Sequence, residues 1–400
     1  MRGMLRLSAK LMILGVSLAA LPASAETAGP PNTPQPGAYL LRNVRIWDGR
    51  SGEVFAGELL VVGNKIQSVS HGRIAPPPKL DAVAIDGGGR VLTPGFIDAH
   101  VHMTSVLPRQ QQQESDPVYI AALEIRGAEL ALLRGFTAQR DVAGAVFGLK
   151  KAIDDGYAVG PRIYAAGAAL SQTAGHGDDR HYSDPPKWLG GGLTYDERTG
   201  MSVIVDGVPQ VLAAAREQMG RGAAMIKVMA SGGAASEFDP LEITEYTLEE
   251  LRAAVDVASS FGTYVTVHSY NSASTRRAIE AGFGTDLIYG LDNQARESRE
   301  FTLRARWFSP LEILRQATSG NAELLAMSGP RNPYPGKQGV IEEGAYADLL
   351  IINGEPLKDI TILEHPDNAL ALIMKDGKIF KNQLGRHAES RKASPRTSPS

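Results

Sequence analysis

Residues 93–102 read Thr-Pro-Gly-Phe-Ile-Asp-Ala-His-Val-His, and this stretch decides the fold. A short apolar lead-in, Gly95-Phe96-Ile97, runs into two histidines spaced i and i+2. In a strand, that spacing puts both imidazoles on one face. A strand ending in chemistry-bearing side chains suits the C-terminal mouth of a parallel α/β barrel, where such enzymes build their sites. The chain downstream has the matching texture. GFTAQRDV, RIYAAG, AAMIKVMA and YVTVHS are further short apolar strands, with helical stretches between strands such as DPVYIAALEIRGAELALLRG after GFIDAH and TLEELRAAVDVASSFG after AAMIKVMA. In the latter, Thr247 and Glu250 form a capping box. Repeated strand–helix units over residues 94–335 predict a (β/α)8 barrel, with a doubly wound open sheet as the other candidate. No GxGxxG or GxxxxGK[ST] element opens a helix, so nucleotide binding has no support.

Outward from this core the texture changes. LLRNVRIWDG, GELLVVGNKIQSVS and AVAIDGGGRVL alternate apolar and polar residues before the barrel, and GVIEEGAYADLLIING and ALALIMKDGKIF do so after it. Residues 39–93 and 336–382 are therefore expected to build one composite β-sandwich, with the barrel inserted between them. Residues 1–25 read as a secretory signal: Arg2, Arg6 and Lys10, an apolar run from Leu11 to Leu21, then Ala23-Ser24-Ala25. The expected location is periplasmic or secreted, with no stable membrane span, because the run falls short of the ~20 residues a bilayer requires. Residues 26–38 are a Pro-rich linker and 383–400 a polar tail expected to be disordered.

Composition narrows the chemistry. Lys plus Arg total 41 against 44 acidic residues, a net charge of −3, which becomes −6 once the three signal-peptide cations are removed. That balance gives no motive for nucleic-acid binding. The 400 residues include no cysteine, which excludes disulfides, thiolate nucleophiles and Cys-ligated zinc. A metal site must use histidine, carboxylate or a modified lysine, and there are eight histidines: 71, 100, 102, 176, 181, 268, 365 and 387. Lys227 sits inside an apolar strand, where an ammonium needs a partner, an altered charge or a stem that reaches solvent. His268 ends another strand, and Asp286 ends the short segment FGTD.

Taken together, TPGFIDAHVH, the in-strand Lys227, the strand-end His268 and GTD at 284–286 resemble the amidohydrolase superfamily of metal-dependent hydrolases. ADLLIINGEPLKDI, LIMKDGKIF and SPLEILRQATSGNAELLAMSG are similar to that family's returning sandwich segments and final helices, so the resemblance spans residues 39–382. TAGHGDDR at 173–180 and the SGG after Lys227 are similar to its imidazolonepropionase-like branch, which includes exported dipeptidases and carboxypeptidases that cut Xaa-Pro, Xaa-Arg or Xaa-Lys bonds. The resemblance implies a small-molecule substrate cut at a C–N bond and one or two divalent metals, commonly zinc. His100, His102 and Asp286 would hold one ion, and Lys227, carbamylated by CO₂, would bridge to a second held by His268. Asp286 would also act as the general acid/base. His176 is a candidate substrate contact, as a mobile and exposed loop residue, and Tyr270 a weaker one. His181, Asp178 and Arg180 carry less still, and the Gly87–Gly89 and Gly190–Gly192 runs read as turns.

One departure stands out. The family places a further second-metal histidine on its sixth strand, yet no histidine lies between His268 and His365. Only 18 positions separate His268 from Asp286. A strand–helix step takes roughly 30 residues, so three steps do not fit. With Asp286 on the eighth strand, the sixth and seventh units are missing, the junction lies near Gly282-Phe283, and about six units remain. The other alignment puts DLIYG on the sixth strand, with Tyr289 replacing histidine. Both leave the site short of a ligand, so the expectation divides between a working hydrolase and an internally deleted, weak or inactive relative. Open sheet edges in the latter favour pairing with another chain, so a homo-oligomer is possible.

Overall fold

The computed structural model describes residues 35–234, 238–270 and 284–384. The expected signal peptide, residues 26–34 of the linker, nearly all of the tail, His387, the helix expected in ASTRRAIEAG and the Gly282-Phe283 junction lie outside the described residues.

Both ends of the chain meet in one seven-stranded sheet. Its strands are β1 (Ala38–Ile46), β2 (Phe55–Val62), β3 (Lys65–Ser70), β4 (Ala82–Pro94), and, from beyond the barrel, β12 (Leu349–Ile352), β13 (Leu370–Lys375) and β14 (Lys378–Asn382). The order is β14-β13-β12-β4-β1-β2-β3, antiparallel apart from β1 beside β4. The sheet folds over its own apolar face: Leu41, Ile46, Leu59, Val61 and Leu92 share a core with Leu349, Ile351, Leu372 and Met374. This is the sandwich built from both chain ends. The Asp376-Gly377 hairpin turn expected from sequence has both residues at positive φ, +50° and +68°, which matches the twist of the strands it joins. The outer face of the sheet, with Leu350, Ile352 and Ile373, packs on Phe301, Ile313 and Leu314 and so seats the barrel against it.

The barrel strands run parallel. β5 (Phe96–Val101) pairs β6 (Phe136–Asp141), which pairs β7 (Arg162–Ala165). The next position is shared: Gly167 at φ +76° separates β7 from β8 (Ala169–Ser171), and β8 pairs both β9 (Ser202–Ile204) and β10 (Ile226–Met229). Ala224 N donates to Ala165 O at 2.8 Å, linking β10 back to β7. β10 in turn pairs β11 (Val265–His268). The helices α1 (Pro117–Leu133), α2 (Val208–Arg221) and α3 (Leu248–Ser260) pack outside. The capping box of α3 is present, with Thr247 accepting from Glu250 N and Glu250 reaching back. Thr247→Ala removes that acceptor and is expected to cost about 1 kcal/mol in urea unfolding.

Segment 284–289 decides between the two alignments. Asp286 N donates to His100 O at 2.9 Å, and Tyr289 N to Ser105 Oγ at 2.9 Å. The segment therefore lies beside β5, where an eighth strand closes a barrel, and Tyr289 is far from a sixth-strand position. Among the described residues β11 is hydrogen-bonded into the sheet on one edge only, by β10, and is half-buried throughout, whereas β10 is fully buried. Five strand positions plus the 284–286 segment account for the described barrel. Residues 208–221 form α2, burying Val211, Ala214, Ala215, Gln218 and Met219.

Candidate metal centre

β5 delivers His100 and His102 to one place by simple alternation, and the 284–286 segment brings Asp286 to meet them. Asp286 Oδ1 lies 3.3 Å from His100 Nε2 and 3.2 Å from His102 Nε2. One ligand atom from each of the three lies within 4.8 Å of the others, the one such group of His, Cys, Asp or Glu among the described residues. Both ring nitrogens of His102 face acceptors. Its Nδ1 faces the Ala143 carbonyl at 3.2 Å and its Nε2 faces a carboxylate oxygen, yet a neutral imidazole has one proton. A metal-ligating histidine commonly donates its other nitrogen to a backbone carbonyl in this manner. Burial, then the Lys227 charge, pushes the His100 imidazole well below its usual range. Burial pushes the Asp286 carboxyl up, but the hydrogen bond to His102 and the nearby positive charges outweigh it and hold the group well below the ordinary range. Two imidazole nitrogens and an ionised carboxylate fit a divalent cation.

Lys227 lies on β10 at 1% exposure, and its ammonium makes no hydrogen bond among the described residues. Its stem therefore does not carry the charge to solvent. Burial, reinforced by Arg140, brings it from 10.5 down to about 8. Register places His268 on the same face: Lys227 pairs Thr266, and His268 is two residues further along β11. Burial and the neighbouring His176 and Lys227 push the His268 imidazole down to about 3. Its ring stacks on His176 at 3.9 Å between centroids, and its Nε2 lies 3.3 Å from Gly232 O.

His176 is not the mobile, exposed loop residue that its flanking glycines suggest. Its Nδ1 meets Asp239 Oδ2 at 2.8 Å, its backbone N–H donates to Glu245 at 2.7 Å, and its ring covers Gly233 so closely that a Cβ there would lie 1.9 Å away. Tyr270, at 55% exposure, has its ring centroid 5.0 Å from that of His268. Asp239 and Glu245, the two carboxylates that fix His176, were not legible in the sequence, because each is more than 60 residues away along the chain. Asp98 was legible in principle, sharing the alternation of His100 and His102.

A cavity of about 550 Å³ opens beside the centre, lined by Thr104, Ser105, Arg109, Glu124, Asp196 and Tyr289 among others. Thr104 and Ser105 lie two and three residues beyond His102, and Tyr289 is three residues beyond Asp286. The volume falls in the range of small-molecule sites. Burial, with Asp141 nearby, raises the Glu124 carboxyl to about 7. No helix among the described residues is long and apolar enough to cross a membrane.

Comparison with known proteins adds a lineage to this geometry. The sequence profile described as "Amidohydrolase family" matches residues 91–302. The chain is 29% identical to the ochratoxinase of Aspergillus niger, over 82% of this chain and 84% of that enzyme. A solved amidohydrolase is 30% identical with a TM-score of 0.78, covering 87% of this chain and all of that one. A prolidase solved with N-methylphosphonate-L-proline is 29% identical, also at a TM-score of 0.78, over 86% of this chain and all of that one. The alignment with the ochratoxinase runs over 412 positions but takes in 82% of these 400 residues, or 328, so roughly 84 positions have no residue opposite them here.

Proposed function

This chain belongs to the amidohydrolase family and is a metal-dependent hydrolase of carbon–nitrogen bonds, and from that premise we propose that it cleaves the amide of a small N-acyl amino acid or dipeptide. The observation that carries the reading is the convergence of His100 Nε2, His102 Nε2 and Asp286 Oδ1 on one point. A divalent ion held there, zinc in our reading, supplies Lewis acidity and a water acidic enough to attack at neutral pH. Asp286, ionised well below neutrality, takes the proton of the attacking water and passes it to the departing amine. The cavity beside Tyr289 receives the part of the substrate flanking the scissile bond. The similar prolidase, solved with N-methylphosphonate-L-proline, supports an amino-acid derivative as the substrate class.

Lys227 fits carbamylation. With burial bringing it to about 8, an appreciable fraction is the neutral amine at physiological pH. Its Nζ attacks CO₂, an N–C bond forms, one N–H proton leaves, and the product is a carbamate anion in place of a buried cation. His268 on the adjacent strand then faces an anionic neighbour. We place the mature protein outside the cytoplasm, on the strength of the Arg2–Ala25 leader; N-terminal sequencing of exported protein beginning at Glu26 is the expected result.

One observation favours a second reading, that of a weakened relative. β11 has a sheet neighbour on one side only among the described residues, and no histidine follows it before His365. The experiment that separates the two is metal analysis of purified protein together with a panel of N-acyl amino acids and Xaa-Pro, Xaa-Arg and Xaa-Lys dipeptides in Zn²⁺, Mn²⁺ or Co²⁺. We expect at least one tightly held ion per chain and amine release from some member of the panel. Metal uptake with no turnover on any of them would leave the weakened relative standing.

A further inference from the structure

The metal centre has to hold together two pieces of chain that are 186 positions apart, and one of them is poorly secured. On the side facing β6, β5 is tied by a ladder of parallel pairs. On its other side the 284–286 segment is not a strand, and its backbone makes a single hydrogen bond to the β5 backbone, Asp286 N to His100 O. Asp286 itself sits at φ +49°, a conformation that ordinary side chains rarely adopt. A ligand on such a segment needs another anchor.

Asp98 supplies it. This carboxylate is fully buried at 0% exposure, two residues before His100. Its Oδ1 accepts from His100 N at 2.9 Å and from Thr285 N at 3.2 Å, while Oδ2 accepts from the Thr285 hydroxyl at 2.7 Å. One side chain thus grips the backbone beside a ligand on each piece. Behind it, Glu297 is fixed by Arg134 at 2.7 and 2.9 Å and by Gln139 at 2.5 Å, so the anchor rests on a rigid polar layer. Gly284 completes the fit: a Cβ there would lie 2.7 Å from His100 Cβ, so the segment presses directly on β5.

We propose that Asp98, acting through Thr285, is the positioning residue that clamps Asp286 to His100 and His102 and thereby sets the affinity of the centre for its metal. The inference rests on the metal-dependent reading above, but it concerns residues that touch neither metal nor substrate. A hydroxyl at 285 is required and its methyl is not. Metal-orienting hydrogen bonds of this kind change affinity by about tenfold or more when removed.

The test uses the full chain stripped of metal with a chelator, then titrated with Zn²⁺ against a chromophoric competitor and with Co²⁺ by visible absorption. Thr285→Val, nearly isosteric, is expected to weaken binding about tenfold, with a metal-free melting temperature close to that of the unsubstituted protein. Thr285→Ser keeps the hydroxyl and is expected to bind within about twofold of the unsubstituted protein. Asp98→Ala, which removes both acceptor oxygens, is expected to lose at least as much as Thr285→Val. Should Asp98→Ala fail to fold, the valine and serine pair still decides. Unchanged affinity in Thr285→Val, an equal loss in Thr285→Ser, or a loss that only follows a lowered melting temperature would each overturn the positioning role. An unsubstituted chain that takes up no metal would overturn both this role and the hydrolase reading, so the two failures are distinguishable.

Discussion

Replacing Asp286 by alanine is expected to lower kcat/KM by at least about 10³-fold on whichever amide proves to be the substrate. Two losses combine. The carboxylate oxygen that lies 3.2 and 3.3 Å from the two imidazoles disappears, so the ion loses its anionic ligand. The group that carries the proton from water to the leaving amine goes with it, a role worth about 10²–10⁴-fold by itself. Asp286→Asn separates the two, since the amide keeps an oxygen but has neither charge nor basicity. Metal content should fall less in Asp286→Asn than in Asp286→Ala, while turnover should be lost in both. Steady-state kinetics with metal analysis on the same samples checks this. Turnover that survives in Asp286→Ala would rule out the assignment of this residue, and unchanged metal content in the same variant would rule out its place among the ligands.

What could be read from the sequence was whatever depends on neighbours in the chain. His100 and His102 share a face because strands alternate, the Thr247–Glu250 box lies within one helical turn, and Asp376-Gly377 specifies its own hairpin. Spacing alone also showed that the stretch after His268 is short, but it left two alignments open, and only the contact of Asp286 N with His100 O places this segment beside β5. The rest depends on contacts that no local pattern encodes. α2 opens on Gly207 with a proline in its first turn and no side-chain cap, so no capping signal marks its start. His176 reads as a free loop histidine until Asp239 and Glu245, 63 and 69 residues on, fold back to hold it. The grip of Asp98 on Thr285 crosses 187 positions. The ligands were legible through their chemistry; the groups that orient them were not, because a carboxylate in the sequence does not announce what it will accept from.

Lys227 gives the second large expected effect, and its sign distinguishes a functional lysine from a structural one. In the metal-free protein, burial depresses this ammonium from 10.5 to about 8. Between pH 8 and 10.5 the unfolded chain therefore binds the proton more readily than the folded one, and stability must rise with pH across that window. The depression of about 2.5 units corresponds to about 3 kcal/mol, a penalty that is full below pH 8 and gone above 10.5. Lys227→Met keeps the apolar stem and removes the charge. It is expected to make the metal-free protein about 3 kcal/mol more stable at pH 7 and to abolish this share of the pH slope. Lys375, also buried and brought to about 8, titrates in the same window, so the difference between Lys227→Met and the unsubstituted chain isolates the first lysine. Urea midpoints at pH 7, 8, 9 and 10 supply the measurement. The same variant cannot form a carbamate and is expected to lose at least about 10²-fold in turnover once metal is restored. A substitution that stabilises the fold while disabling the enzyme identifies a residue kept for chemistry at a cost in stability. If Lys227→Met is instead the less stable protein at pH 7, the ammonium has a partner that stabilises it, and carbamylation loses its physical motive.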